Sequence, residues 1–139
     1  MHQMRRRKAH EGLDFGTLRH AIEHCELDAM LVFYSKEAQL SIVNADAPQA
    51  LPFQLSGKAE IAKHLRVVFS QKSSHRVERG VADENRMMFR EVCEYPDGGR
   101  VVVETTLEVR DGRIVRQVDV VTSDARANSQ ESSGRGPPT

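Results

Sequence analysis

The spacing of apolar residues changes near residue 73 of the chain. Before that point apolar residues recur at intervals of three and four, which is the pattern of an amphipathic helix. After it, apolar and polar residues alternate, which is typical of half-buried strands. The pattern predicts helices over about 14–25, 28–35 and 57–71, and strands over 38–44, 74–82, 86–95, 100–109 and 113–122. Residues 45–55 hold two prolines and are predicted to form a loop.

Helices followed by strands indicate an α+β fold in which the helices pack on one face of an antiparallel sheet. Asp14, Asp28 and Ser56 are the predicted starts of the three helices, because short polar side chains cap free N–H groups there. The strand at 38–44 stands alone before the third helix, and the four later strands form a meander.

One hairpin of the meander can be oriented from its pattern. If Tyr95 pairs with Val101, the apolar residues of both strands fall on one face and the charged residues on the other. Glu91 then lies opposite Thr105, and it is the one carboxylate on the apolar face.

Two turns remain open for the last hairpin. A two-residue turn at Asp111-Gly112 is the commonest hairpin signal, and it points Arg116 and alternate residues after it toward the core. A three-residue turn that also includes Arg110 points Gln117 and Asp119 toward the core instead. The count of apolar residues mildly favours the first turn, but the pattern alone does not decide.

Length and charge narrow the function classes. The 139 residues fit one domain at 13–123, flanked by a basic segment at 1–12 and a small, polar segment at 124–139, both expected to be disordered. Twenty basic and twenty acidic residues give no net charge, which argues against a nucleic-acid partner. No apolar run is long enough for a membrane span, and no signal peptide is expected.

Few residues have a spacing that points to metal or nucleophilic chemistry. Cys25 and Cys93 are far apart, which indicates free thiols in the cytoplasm, and Cys93 has no Cys–His arrangement. His20 and His24 have an i,i+4 spacing but lie on the polar face of the first helix, so no metal site is predicted. Weaker candidates for the edge of a pocket are His64, His75, Tyr34 and Tyr95.

Three segments carry a resemblance: "LRHAIEHCELDAMLVFYSKEAQLSIV", "LSGKAEIAKHLR" and "DGRIVRQVDVV". In order and spacing they resemble the SnoaL-like branch of the nuclear-transport-factor-2-like superfamily, over about 14–122. The resemblance implies a cone, in which three N-terminal helices close a curved sheet around a pocket. It also implies a homodimer, and the apolar residues predicted on the outer sheet face agree with a covered surface: Met88, Val92, Val102, Ile114, Val118 and Val120.

Catalytic residues of the superfamily are matched unevenly. Ketosteroid isomerases place a general base and two oxyanion donors at positions that resemble Ile42, Leu18 and Thr105, so steroid isomerase chemistry is not implied. Limonene-type epoxide hydrolases are a better match, because their two acids resemble Asp119 and Glu91. Their bridging arginine falls at Phe89, which is a departure. This resemblance favours the three-residue turn, since the family's acid faces inward.

The predicted function is binding of a small apolar organic molecule in the pocket, with hydrolase, isomerase or cyclase chemistry as its catalytic form and no cofactor. Two acids in an apolar pocket push their pKa values apart, so Asp119 and Glu91 are the predicted acid/base pair. The alternative is a non-catalytic module for dimerisation or protein interaction. The predicted pocket lining is Leu18, Ile22, Phe53, Leu65, Phe69, Phe89, Cys93, Thr105, Leu107 and Gln117.

Overall fold

The computed structural model describes residues 13–123, so the predicted disordered ends lie outside the described residues. Three helices form within this range: α1 (Phe15–Glu23), α2 (Leu27–Val32) and α3 (Lys58–Ser70). The strands are β1 (Tyr34–Asn44), β2 (Phe53–Ser56), β3 (Ser74–Ala82), β4 (Arg86–Glu94), β5 (Arg100–Arg110) and β6 (Arg113–Ser123). None of these helices is long and apolar enough to cross a membrane.

The strands form one curved, open sheet in the order β2-β1-β6-β5-β4-β3. Strands β1 and β6 are parallel, whereas the other neighbouring pairs are antiparallel. The helices bury their apolar stripes, including Leu18, Ile22, Ile61 and Leu65, against the inner face of the sheet. The predicted α+β cone is therefore confirmed.

Local hydrogen bonds fix where two helices begin. The Asp14 carboxylate accepts the Thr17 N–H at 3.0 Å and caps α1, as predicted. At α3 the capping residue is Gly57, whose φ of +92° suits glycine. The Ser56 N–H donates to the Glu60 carboxylate at 2.8 Å, so the side chain inside the helix reaches back to the chain before it.

Three predictions for the segments around β1 were wrong. The second helix ends at Val32, and Tyr34 already belongs to β1, because it pairs with Ile114 of β6. The predicted cap Asp28 lies inside the first turn of α2, whose N-cap is Glu26. Strand β2 forms within the predicted loop by pairing with β1 as a short edge strand. For the end of the helix and for β2, pairing with a neighbouring strand decides the local structure.

The hairpin of β4 and β5 has the predicted faces but a different register. Glu91 lies opposite Val103, not Thr105, and Cys93 lies opposite Val101. The turn is tighter than predicted, because the Tyr95 N–H donates to the Gly99 carbonyl at 2.9 Å. The shift is two residues, so every side chain keeps its face.

The last hairpin combines a two-residue turn with a β-bulge. Asp111 and Gly112 have φ values of +54° and +74°, which fits the two-residue turn and overturns the predicted three-residue one. Val109 pairs with Ile114, but the register then shifts so that Leu107 pairs with Gln117. The extra residue of a bulge reverses the facing of the strand beyond it. Gln117 and Asp119 therefore face inward, but the cause is the bulge and not a three-residue turn.

The outer face of the sheet is less apolar than predicted. Ile114 belongs to the core because the two-residue turn pairs it with Val109, which packs against the core, and Val92 and Val102 are buried. A second bulge in β3, between Glu78 and Val81, places Val81 opposite Met88. These two are exposed at 69% and 47% and form an apolar pair on the surface.

Candidate functional site

A partly open cavity of about 210 Å³ lies between the helices and the inner face of the sheet. Its lining is mainly apolar and comes from α1, α2, α3 and all strands except β2. Of the side chains predicted to line or act in the pocket, those that border the cavity are Ile22, Leu65, Phe69, Phe89, Glu91, Cys93, Thr105, Leu107, Gln117 and Asp119.

Leu18 and Phe53 do not line the cavity, so these two predictions were wrong. Leu18 lies on the buried stripe of α1 and is enclosed by core side chains. Phe53 lies on the edge strand β2 and is 56% exposed. Its ring centroid is 6.1 Å from that of His64, which does line the cavity.

Asp119 anchors a hydrogen-bond network in the cavity. Thr105 lies directly opposite Asp119 on β5, and its hydroxyl donates to Asp119 Oδ1 at 2.9 Å. The Gln117 side chain lies two residues earlier on the same face of β6, and its Nε2 donates to the same oxygen at 2.9 Å. The Tyr34 hydroxyl donates to Gln117 Oε1 at 2.5 Å, which orients the amide.

The two oxygens of the Asp119 carboxyl meet different surroundings. Oδ1 accepts both bonds, whereas Oδ2 accepts none from the part of the chain that the structure describes and is still accessible. Asp119 is half-buried on the inner face of β6 and borders the cavity, so the accessible surface of its side chain faces the cavity. Oδ2 is thus the oxygen that a bound molecule would meet.

Burial raises the pKa of Asp119 to about 6, and the negative charge of Glu91 adds to this rise. The hydrogen bonds from Gln117 and Thr105 stabilise the carboxylate and oppose the rise. A pKa near 6 leaves Asp119 mostly ionised at neutral pH, yet able to hold a proton during a reaction.

A second polar cluster consists of His75, Glu91 and Cys93. His75 of β3 lies directly opposite Cys93 of β4, and Glu91 precedes Cys93 by two residues on the same face. His75 Nδ1 is 2.6 Å from Glu91 Oε2 and 3.4 Å from Cys93 Sγ, and Cys93 Sγ is 3.5 Å from Glu91 Oε2. On its other side, His75 Nε2 is 3.2 Å from the Ser73 hydroxyl.

This cluster corrects the prediction that Cys93 has no histidine partner. His75 and Cys93 are only 7% and 6% exposed. Burial, followed by the charge of Glu91, raises the pKa of the Cys93 thiol far above its usual value. A thiol with a raised pKa is a poor nucleophile at neutral pH, so the contact with His75 does not indicate cysteine catalysis.

Glu91 and Asp119 share the cavity but not a network. Val121 is the residue of β6 that lies across β5 from Glu91, two residues beyond Asp119. With strands about 4.8 Å apart and a rise of about 3.3 Å per residue, the two Cα atoms are roughly 12 Å apart on a flat sheet. Each carboxylate has its own hydrogen-bond partners, so the acids act on the cavity from separate positions.

Three residues that the sequence indicated only as weak candidates border the cavity: His75, Tyr34 and His64. His75 has the strand parity of Val77, a signal for an inward side chain, but its contact with Cys93 depends on the register between strands. His64 borders the cavity, and burial lowers its pKa. The spaced pair His20 and His24 is exposed on α1 with rings stacked at 4.0 Å, and it does not border the cavity.

The fold and the cavity define a class of protein, the cone-shaped α+β domains of the nuclear-transport-factor-2-like type. The sequence model of the SnoaL-like domain matches residues 16–117, and the chain belongs to that family. No curated protein matches the chain in sequence.

Solved structures with this fold cover most of the chain. An NTF2-like protein of unknown function from Mesorhizobium loti aligns with a TM-score of 0.69 and 17% identity, over 84% of this chain and 93% of that one. A candidate ketosteroid isomerase from Kribbella flavida aligns with a TM-score of 0.66 and 16% identity, over 83% of this chain and 78% of that one. A candidate polyketide cyclase from Xanthomonas campestris aligns with a TM-score of 0.60 and 20% identity, over 83% of this chain and 90% of that one. At these identities the likeness shows the fold alone.

Proposed function

We propose that this protein is an enzyme that performs acid/base chemistry on a small, largely apolar organic molecule, with Asp119 as the proton-transferring group. The observation that carries the proposal is the Asp119 carboxyl, whose Oδ1 is held by two donors while Oδ2 is accessible to the cavity. A positioned carboxylate with a pKa near the working pH is what general base catalysis needs.

The size of the cavity limits the substrate. Its volume of about 210 Å³ lies below the roughly 300–1,000 Å³ of sites for drug-sized ligands. A molecule with one ring or a short chain fits this volume better than a fused multi-ring substrate does.

The reaction class follows from the position of the free oxygen. Asp119 Oδ2 accepts a proton from an acidic C–H group or from a water molecule, and the carboxylic acid that forms returns the proton to the product. Isomerisation, cyclisation and addition of water can all begin in this way. The names of two solved relatives, a candidate ketosteroid isomerase and a candidate polyketide cyclase, belong to this range and support the proposal.

Glu91 lies outside the hydrogen-bond network of Asp119. Its negative charge helps to hold the pKa of Asp119 high, but its own carboxylate is engaged by His75 at 2.6 Å. Glu91 is therefore proposed as a residue that tunes Asp119, and not as the second member of a water-holding acid pair.

The test is turnover by the Asp119→Asn variant on a panel of small epoxides and enolisable ketones. We expect turnover to fall by at least about 10²-fold, the usual contribution of a general base. Asp28→Asn is the matched control, because it makes the same change at an exposed position on α2. Binding of an apolar fluorescent probe should be retained in both variants, which shows that the cavity persists.

Two results would contradict the proposal. Equal turnover by wild type and Asp119→Asn would show that this carboxyl does not transfer the proton. Binding of the panel by the wild type without turnover would instead support a non-catalytic binding module of the same fold.

A further inference from the structure

The cluster of His75, Glu91 and Cys93 offers one nitrogen, one carboxylate oxygen and one sulfur to the same point beside the cavity. We propose that these three side chains form a binding site for one divalent cation of the zinc type, with the remaining coordination position open to the cavity. The site shares Glu91 with the proposed tuning of Asp119, but it does not require Asp119 to transfer a proton.

The distances within the cluster are close to those of a metal site. Zinc bonds of about 2.0–2.1 Å to nitrogen, 2.0–2.2 Å to oxygen and 2.3 Å to sulfur give tetrahedral edges of about 3.5–3.7 Å to sulfur and about 3.3–3.5 Å between nitrogen and oxygen. The two edges to Cys93 Sγ measure 3.4 Å and 3.5 Å. The third, from His75 Nδ1 to Glu91 Oε2, is 2.6 Å, which is a hydrogen bond that a cation would replace.

The backbone holds these three groups in place before any ion binds. Glu91 and Cys93 share one face of β4, and His75 is directly opposite Cys93 across the β3–β4 pairing. The Ser73 hydroxyl lies 3.2 Å from His75 Nε2 and fixes the ring with Nδ1 toward the cluster. Such a partner on the far nitrogen is the usual support of a metal-binding histidine.

The charges in the cavity also favour a cation. Glu91 and Asp119 both border the cavity, and its lining, among the residues that the structure describes, includes no lysine or arginine. A divalent ion at His75, Glu91 and Cys93 would supply the missing positive charge. The donor set of imidazole, thiolate and carboxylate selects zinc-like metals over magnesium or calcium, which prefer oxygen ligands alone.

Three protein ligands with one open position are typical of catalytic rather than structural zinc sites. All three side chains border the cavity, so the open position is accessible to a small molecule there. The site would therefore bind a ligand with an oxygen, nitrogen or sulfur donor at one end.

Cobalt(II) is the probe, because a Co²⁺–thiolate bond gives a near-ultraviolet charge-transfer band that does not depend on activity. The full 139-residue chain without an affinity tag is titrated with Co²⁺ under reducing conditions. We expect one saturable band at one equivalent, and we expect stoichiometric Zn²⁺ to abolish it. The same experiment is repeated with Cys93→Ser, His75→Gln and Glu91→Gln, each checked for folding by circular dichroism.

Two control variants separate this site from other candidate ligands. Cys25→Ser removes the only other thiol, and the double change His20→Gln and His24→Gln removes the exposed histidine pair. Both controls should keep the band and its midpoint. Cys93→Ser should lose the band, whereas His75→Gln and Glu91→Gln should weaken Co²⁺ binding by at least about 10-fold to 100-fold, the loss seen even for supporting residues.

The proposal is overturned if the wild-type protein shows no band, whatever the variants do. It is also overturned if the band survives Cys93→Ser or disappears in Cys25→Ser. A band that is lost in the His20/His24 variant would assign the ion to the surface of α1 instead.

Discussion

At the scale of single residues, Asp119 is a group whose burial lowers the stability of the fold. Its pKa rises from an ordinary value of 3.8 to about 6, so the folded protein resists the loss of this proton more than the unfolded chain does. Below the ordinary value both states hold the proton and no stability is lost. As the pH rises from the ordinary value through about 6, the free energy of unfolding falls, because the unfolded chain releases this proton more readily than the folded protein does. Retaining such a group is typical of functional sites.

This linkage predicts that wild-type stability falls between about pH 4 and pH 7 by on the order of 2 kcal/mol through Asp119 alone, since one pKa unit corresponds to about 1.4 kcal/mol. Asp119→Asn should lack this part of the pH dependence and should be the more stable protein near pH 7. Urea unfolding of both proteins at several pH values measures the difference. Parallel pH profiles would show that Asp119 is not buried with a raised pKa.

The sequence could indicate Asp119 and Glu91 because inward-facing acids stand out in an apolar strand pattern. It could not indicate the cluster of His75 and Cys93, because these residues come from different strands. Their contact depends on the pairing of β3 with β4, which no local pattern specifies. The network of Tyr34 and Gln117 has the same origin, since it joins β1 to β6.

At the scale of elements, α1 covers the exposed edge of the sheet at β3. The Glu23 carboxylate of α1 accepts the N–H of Val77 at 2.8 Å, on a strand with no further neighbour in the described sheet. This bond lowers the pKa of Glu23, and Arg19 supports it at 3.3 Å. Covering an edge strand in this way blocks pairing with other chains.

We expect Glu23→Ala to lower the free energy of unfolding by about 1–3 kcal/mol, because it leaves the N–H of the buried Val77 without an acceptor. Glu23→Gln is the matched variant, since its amide oxygen can still accept this bond. It should lose less than half as much. Urea unfolding at neutral pH distinguishes the two variants, and equal losses would mean that the bond to Val77 carries little of the effect.

Element boundaries after residue 73 were predictable because each strand there except the last ends at a turn signal. The facing of β6 in its hairpin with β5 was not predictable, because a two-residue turn and a β-bulge act in it together. Asp111-Gly112 specifies a two-residue turn, but the bulge that follows reverses the facing of Gln117 and Asp119. Each alternative from the sequence was therefore half correct.

At the scale of the whole molecule, the outer face of the sheet still exposes apolar side chains to solvent. Val81 and Met88 lie opposite each other and are both exposed. Val118 and Val120 are only partly buried on the same sheet. A second copy of the chain that covers this face would remove this apolar surface from water.

We therefore expect sedimentation velocity at micromolar concentration to give a dimer of the 15.6 kDa chain. Met88→Lys should shift the population toward the monomer. It should not lower the thermal stability of the domain, because the Met88 side chain is exposed to solvent within one chain. Val67→Lys, at an apolar position on α3 that is also exposed, is the control and should remain dimeric. A wild-type protein that sediments only as a monomer would contradict this expectation.

The central claim is that the Asp119 carboxyl is held inside the cavity in a form that can exchange a proton near neutral pH. Its most direct test is a ¹³C NMR titration of the Asp119 carboxyl, in the wild type and in Thr105→Val and Thr106→Val. We predict a wild-type pKa of about 6. Thr105→Val should raise it further, because the hydroxyl bond to Oδ1 is lost, whereas Thr106→Val on the opposite face should leave it unchanged. An Asp119 pKa near the ordinary 3.8, unaffected by Thr105→Val, would contradict the account.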